Sequence, residues 1–144
     1  RDYGLAEPDV VRLAQIDIKK EISDAVQTFN YQLNSMANSN GQSPFTSVFM
    51  YISENPEYEK ETAMLIEEFL HQRIKGMKDK TGHYVTVAFP KLLYVLDENN
   101  TYKDSKYFYL TELAAECSAK RMVPDYISAK KMQEYKGAVY PCIN

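Results

Sequence analysis

The chain has 144 residues, a length that suits one domain and allows a sizeable core. Hydrophobic residues make up 44% and charged residues 26%, the balance of an ordinary soluble globular protein. A net charge of -3 gives no bulk attraction to nucleic acid, and no apolar run approaches the roughly 20 residues that cross a bilayer.

The first element expected is a long helix. Pro8 suits a first helical turn, where its missing N–H costs nothing. Beyond it Val11, Ala14, Ile18, Ile22, Val26, Phe29 and Leu33 recur at spacings of three and four, a single apolar stripe reaching to about Met36. Asp17, Lys20, Asp24 and Gln27 occupy the opposite face. The run from Asn38 to Pro44 then breaks the chain, and the aromatic and β-branched stretch from Phe45 to Ile52 predicts a strand. Asn55 and Pro56 open a second helix whose apolar face runs through Tyr58, Thr62, Leu65, Ile66, Phe69 and Ile74, ending at Gly76.

A polar turn from Lys78 to Gly82 leads into an apolar strand from Tyr84 to Leu96, with a bulge or bend at Pro90, which has no N–H for a ladder. Leu92 to Leu96 is continuously apolar, as a strand covered on both faces requires. After a polar loop, Asp104 or Ser105 can cap a third helix through Arg121 with Leu110, Leu113, Ala114 and Cys117 inward. Pro124 stops it, Ser128 caps a shorter helix ending at Gly137, and Ala138 to Cys142 is expected as a last strand. Strands separated by helices become parallel through crossovers, so the class is α/β. Three parallel strands leave exposed edges, which favours a piece of a larger sheet or barrel.

Few residues point to chemistry on their own. No Gly-rich phosphate loop occurs, and His71 and His83 lack Cys or His partners at metal-ligand spacing. The Glu67-Glu68 pair and Glu57, Glu59 and Glu61 read as a solvated helix face. Two cysteines are too few for a disulfide scaffold, so a reduced, cytoplasmic protein is the simpler expectation. Cys117 reads as a buried thiol, and Cys142 sits at a strand end, where residues of parallel α/β folds gather. In the turn before the first strand, Asn40 and Gln42 offer amides to phosphate or ribose hydroxyls, although such a turn more often is only a loop. Lys91, charged within a strand, points out at an edge or faces an anionic ligand or an internal carboxylate.

Five ordered segments together carry a resemblance. They are the long helix around Asp17-Ile-Lys-Lys-Glu-Ile and Gln27-Thr-Phe-Asn-Tyr-Gln-Leu-Asn; Ser39-Asn-Gly-Gln-Ser-Pro-Phe45; Ala88-Phe-Pro-Lys-Leu-Leu-Tyr-Val-Leu96; the run from Tyr109 to Asp125; and Val139-Tyr-Pro-Cys142. The chain resembles the catalytic, glycyl-radical subunit of class III anaerobic ribonucleoside-triphosphate reductases. The runs at Phe89-Pro-Lys-Leu and Lys120-Arg-Met-Val-Pro-Asp fit these better than other glycyl-radical enzymes.

The resemblance implies a ten-stranded α/β barrel, with residues 1–144 one partial domain: the later part of the first half-barrel, before the finger loop. That loop typically reads Cys-Met-Gly-Cys-Arg-Ser. Cys142 would match its first cysteine, Ile143 and Asn144 depart from it, and the radical cysteine and glycyl-radical motif have no counterpart here. The parent enzyme is expected to reduce ribonucleoside triphosphates with a glycyl radical and formate as reductant. ATP and dNTP effectors, a separate zinc site, a radical S-adenosylmethionine activating enzyme and a homodimer are implied with it. This piece alone is expected to be inactive, to bind no cofactor, metal, nucleic acid or membrane itself, and to line the substrate pocket with Asn40, Gln42 or Lys91 beside Cys142. The other expectation is a non-catalytic assembly module that dimerises through its long first helix.

Overall fold

The computed structural model describes residues 7–36, 41–42 and 44–139. Helix α1, Glu7–Ser35, is 29 residues and so about 44 Å long. Strand β1 is Ser47–Met50, and two short 3₁₀ turns, Ile52–Glu54 and Pro56–Tyr58, lead into α2, Glu59–Lys75. Asn55 caps the second turn by accepting from the Glu57 amide, as its sequence position suggests. A two-residue hairpin follows, β2 (Met77–Lys78) against β3 (Tyr84–Val85), then β4 (Lys91–Leu96), α3 (Phe108–Arg121), β5 (Asp125–Ser128) and α4 (Ala129–Lys136).

β4 is the centre of a parallel three-stranded sheet in the order β1-β4-β5. Ser47 stands opposite Lys91, and Leu93 opposite Asp125. Alternation sends Met50, Leu92 and Tyr94 to the face covered by α2 and α3, where they join Ile66, Leu70, Leu110, Ala114 and Cys117 in one core. Val95, on the opposite face, is also fully buried. β4 is thus the strand covered on both faces, which its continuous apolar run requires.

Several expectations are corrected. The strand from Tyr84 to Leu96 is two strands in two sheets, divided at Pro90, which lacks the N–H to carry a ladder through. Ser105 does not cap α3: its hydroxyl donates to the Glu98 carbonyl, and the helix starts at Phe108. A parallel strand not expected from the sequence is Asp125–Ser128, directly before α4; of the strand expected over Ala138 to Cys142, residues 140–142 lie outside the described residues. On α2 the buried face is Ala63, Ile66, Leu70 and Arg73, while Tyr58 and Leu65 are exposed. Nor is every acidic residue of α2 merely solvated, since Glu68 accepts from Ser23 and Gln72, and Glu59 from Lys106 and Tyr107. Hydrogen bonding from Lys106 holds the Glu59 carboxyl below its usual range.

The stripe on α1 is covered over only half its length. α2 has 17 residues, about 26 Å, and lies along the C-terminal half of α1 through Ser23–Glu68 and Asn30–Gln72 hydrogen bonds. Val26 and Leu33 are buried there, whereas Val11 and Ile18 further up the stripe are exposed.

Candidate functional site

Of the expected site residues, the described part of the chain holds Gln42 and Lys91, and Lys91 stands at the amino end of β4 beside the amino end of β1. The Lys91 amide donates to the Thr46 carbonyl at 2.8 Å, so the residue just before β1 lies beside the first residue of β4, and Gln42 precedes it by four positions. Phe45 and Phe89 meet edge to face at 5.0 Å across this junction. Asn34 ties the end of α1 to it, donating to the Phe89 carbonyl at 2.8 Å. Asn40 and Cys142 lie outside the described residues.

Lys91 opens its strand rather than standing mid-strand. It shares a sheet face with Leu93 and Val95, away from α2 and α3. Its ammonium lies 2.9 Å from Asp125 Oδ2 on the neighbouring strand, both side chains about half exposed. Among the alternatives left open by the sequence, the partner is therefore a carboxylate, but one at the surface. An exposed ion pair of this kind leaves the ammonium able to exchange its partner for an anionic ligand at little cost.

The carboxyl ends of the same strands hold polar residues that read as a plain loop in the sequence. Ser53 donates to Asp97 Oδ2 at 2.6 Å, and Asn99 Nδ2 donates to Ser53 Oγ at 2.7 Å. The Asn100 side chain is fully buried, donating to the Val95 carbonyl and accepting from the Asp97 amide. Burial, then the Asp97 and Glu54 charges, push the Tyr51 phenol upward. Ligands of open α/β sheets gather at this end of the strands, and only a run of Asp and Asn directly after an apolar strand could have pointed to it.

The remaining candidates sit apart. Cys117 is buried in the core and burial raises its thiol, with Arg73 and Arg121 opposing. An inert thiol follows. His71 lies 3.6 Å from Glu67 on the exposed side of α2, and His83 belongs to the hairpin turn with Thr81. Among the described residues no group of three or more His, Cys, Asp or Glu could hold a metal ion. No helix is long and apolar enough to cross a membrane among those residues.

Residues 10–143 match the family described as anaerobic ribonucleoside-triphosphate reductase. The chain belongs to that family. It is 36% identical over 134 residues to the anaerobic ribonucleoside-triphosphate reductase of Enterobacteria phage T4, covering 92% of this chain and 21% of that protein. The reductase of the same name from Haemophilus influenzae is 30% identical over 132 residues, covering 91% and 18% respectively, and that of Escherichia coli matches to the same extent. The chain thus spans about a fifth of the length of these reductase relatives.

Proposed function

We propose that this chain is part of an anaerobic ribonucleotide reductase that reduces ribonucleoside triphosphates to deoxyribonucleoside triphosphates by radical chemistry. The family match over residues 10–143 carries the reading. In it, residues 1–144 form the later part of the first half of a ten-stranded α/β barrel. The support is that β1 and β5 each pair on one side only among the described residues, leaving two open edges for further strands.

The glycyl radical of such an enzyme, with formate as reductant, supplies the one-electron chemistry when present. The work of this chain is to build a wall. The core beneath β4 fixes its backbone, and the opposite sheet face presents Lys91, paired with Asp125, as a cation for an anionic substrate. Gln42 and Asn40, in the segment leading to β1, supply amides for hydroxyls or phosphates, and Cys142 is the neighbour of the finger loop. Nucleotide effectors, the activating enzyme and the homodimer belong to the same proposal for the whole reductase.

Steady-state kinetics of the whole reductase carrying this sequence test the wall. Gln42→Ala and Lys91→Ala are expected to raise the KM for ribonucleoside triphosphate by roughly tenfold, the scale of one lost hydrogen bond to a charged group. Unchanged kinetics in both would remove these residues from the site.

A second reading draws on α1, whose N-terminal half exposes Val10, Val11, Leu13, Ile16 and Ile18. That surface supports an assembly role, including the non-catalytic module expected from the sequence. Sedimentation of the protein against Ile16→Glu/Ile18→Glu checks it: a dimer that dissociates on substitution favours assembly through α1, and an unaltered mass removes the idea.

A further inference from the structure

Three consecutive residues at the start of β4 are each held by a different part of the chain. The Phe89 carbonyl accepts from Asn34 Nδ2 of α1 at 2.8 Å, and the Pro90 carbonyl accepts from Arg73 Nη2 of α2. The Lys91 amide donates to the Thr46 carbonyl beside β1, also at 2.8 Å. Upstream, residues 86–90 belong to no strand, and Pro90 has no N–H to offer one. Both carbonyls therefore lack a ladder partner, and side chains supply the donors instead.

Arg73 is a costly donor for a single carbonyl. It is 4% exposed, on the helix face that also buries Ala63, Ile66 and Leu70, and burial pulls its guanidinium below the ordinary value. No ion pair joins it to a carboxylate among the described residues. A buried cation without a counter-ion is strongly disfavoured, and an apolar side chain would fill the same space at less cost. Asn34 Nδ2 also donates to the Asn30 carbonyl at 2.8 Å, so the group that reaches Phe89 is tied to its own helix.

What these donors fix is the direction of Lys91. Side chains alternate along a strand, and a slip of one residue would turn Lys91 toward the core and Leu92 away from it. β1 opposes that slip through only four paired residues, Lys91 to Tyr94 on β4, and the ladder to β5 begins at Leu93. Arg73 and Asn34 hold the entry to the strand from the helix side. The Lys91 ammonium leaves on the other face, 2.9 Å from Asp125.

We propose that Arg73 and Asn34 are positioning residues for the substrate-facing cation: by pinning Pro90 and Phe89 they set the place from which the Lys91 ammonium meets an anionic group of the ribonucleoside triphosphate. The inference rests on the substrate role proposed for Lys91. Each residue acts through the backbone of Lys91 rather than on the substrate. A displacement of about 1 Å at such a contact is enough to weaken it.

Steady-state kinetics of the whole reductase carrying this sequence test it, with Arg73→Met, Asn34→Ala and Lys91→Ala, and with each of the first two combined with Lys91→Ala. Met keeps the bulk of the arginine stem and removes the buried charge, and circular dichroism reports whether each variant folds. Asn34→Ala reaches the same segment from a half-buried position and carries the test if Arg73→Met does not fold. Lys91→Ala is expected to raise the KM for ribonucleoside triphosphate roughly tenfold. Arg73→Met and Asn34→Ala each raise it several-fold with kcat unchanged, and neither raises it further once Lys91 is alanine. A merely structural role gives instead a loss that is the same with or without Lys91. That result, or an unaltered KM in the folded single variants while Lys91→Ala raises it, overturns the positioning role and leaves Lys91 in the site. An unaltered KM in Lys91→Ala removes the substrate role itself, and the positioning role falls with it.

Discussion

The guanidinium of Arg121 grips the carbonyl oxygen of Ile74 twice, from Nε at 3.1 Å and Nη2 at 2.9 Å. Nη2 also reaches the Lys75 carbonyl at 3.3 Å, and Nη1 donates to Thr86 Oγ1 at 2.7 Å. One side chain from the end of α3 thus closes the unsatisfied C-terminus of α2, where a cation also meets the negative end of the helix dipole, and anchors the segment after the hairpin. Gly76 completes the same corner: at φ 79° it continues the chain where a Cβ would meet the Val85 carbonyl at 2.5 Å.

Arg121→Ala should therefore lower the unfolding free energy by about 2 kcal/mol, measured by urea denaturation. Arg121→Lys should recover less than half, because a single ammonium cannot span Ile74 and Thr86 as the planar fork does. A lysine variant as stable as the parent would show that charge alone is enough.

For Lys91 and Asp125 the expected stability effect is small. Both side chains are about half exposed, so a double-mutant cycle of Lys91→Ala and Asp125→Ala should give a coupling below about 1 kcal/mol that fades in molar salt. A coupling above about 2 kcal/mol, insensitive to salt, would mark a desolvated structural pair and weaken the case for Lys91 as a ligand-facing cation.

Asn100 shows what a polar loop conceals. Its side chain is fully buried, donates to the Val95 carbonyl at 2.8 Å and accepts from the Asp97 amide at 2.9 Å, wrapping the end of β4. Asn100→Ala orphans both backbone groups and should cost roughly 2–4 kcal/mol. Chemical denaturation reads this directly, and a loss under 1 kcal/mol would mean that water replaces the amide.

The sequence made the three long helices legible because Pro and Gly mark their ends and the apolar spacing marks their middles. β4 was equally plain, a continuous apolar run after a proline. β5 escaped because only Tyr126 and Ile127 among its four residues favour strands, and the capping signal of Ser128 adjoins them. What makes it a strand is pairing with Leu93 to Leu96, a long-range fact absent from the local pattern. Arg73 escaped for a related reason. A cation on an apolar helix face looks exposed until its acceptor, the Pro90 carbonyl 17 residues away, is placed beside it. The candidate site shared that fate: strand ends could be read from composition, but the Asp125 partner of Lys91 and the Ser53–Asp97 bond depend on crossovers that bring distant segments together.

Tyr94 makes alkaline stability a test of the core. Its ring is fully buried and its hydroxyl lies 2.8 Å from Thr111 Oγ1. Burial pushes the phenol from the ordinary 10.0 up to about 12, the Thr111 hydrogen bond opposing. Between pH 10 and 12 the unfolded chain therefore releases a proton that the folded chain keeps. The stabilisation, roughly 3 kcal/mol, is fully present below pH 10 and is lost as pH rises through 12. Tyr51 and Tyr109 are shifted in the same direction and remain in a Tyr94→Phe variant, so the informative quantity is the difference between two curves. Urea midpoints measured from pH 9 to 12 should fall more steeply for the parent than for Tyr94→Phe. Parallel curves would show that the Tyr94 phenol ionises in the folded protein as easily as in the unfolded one.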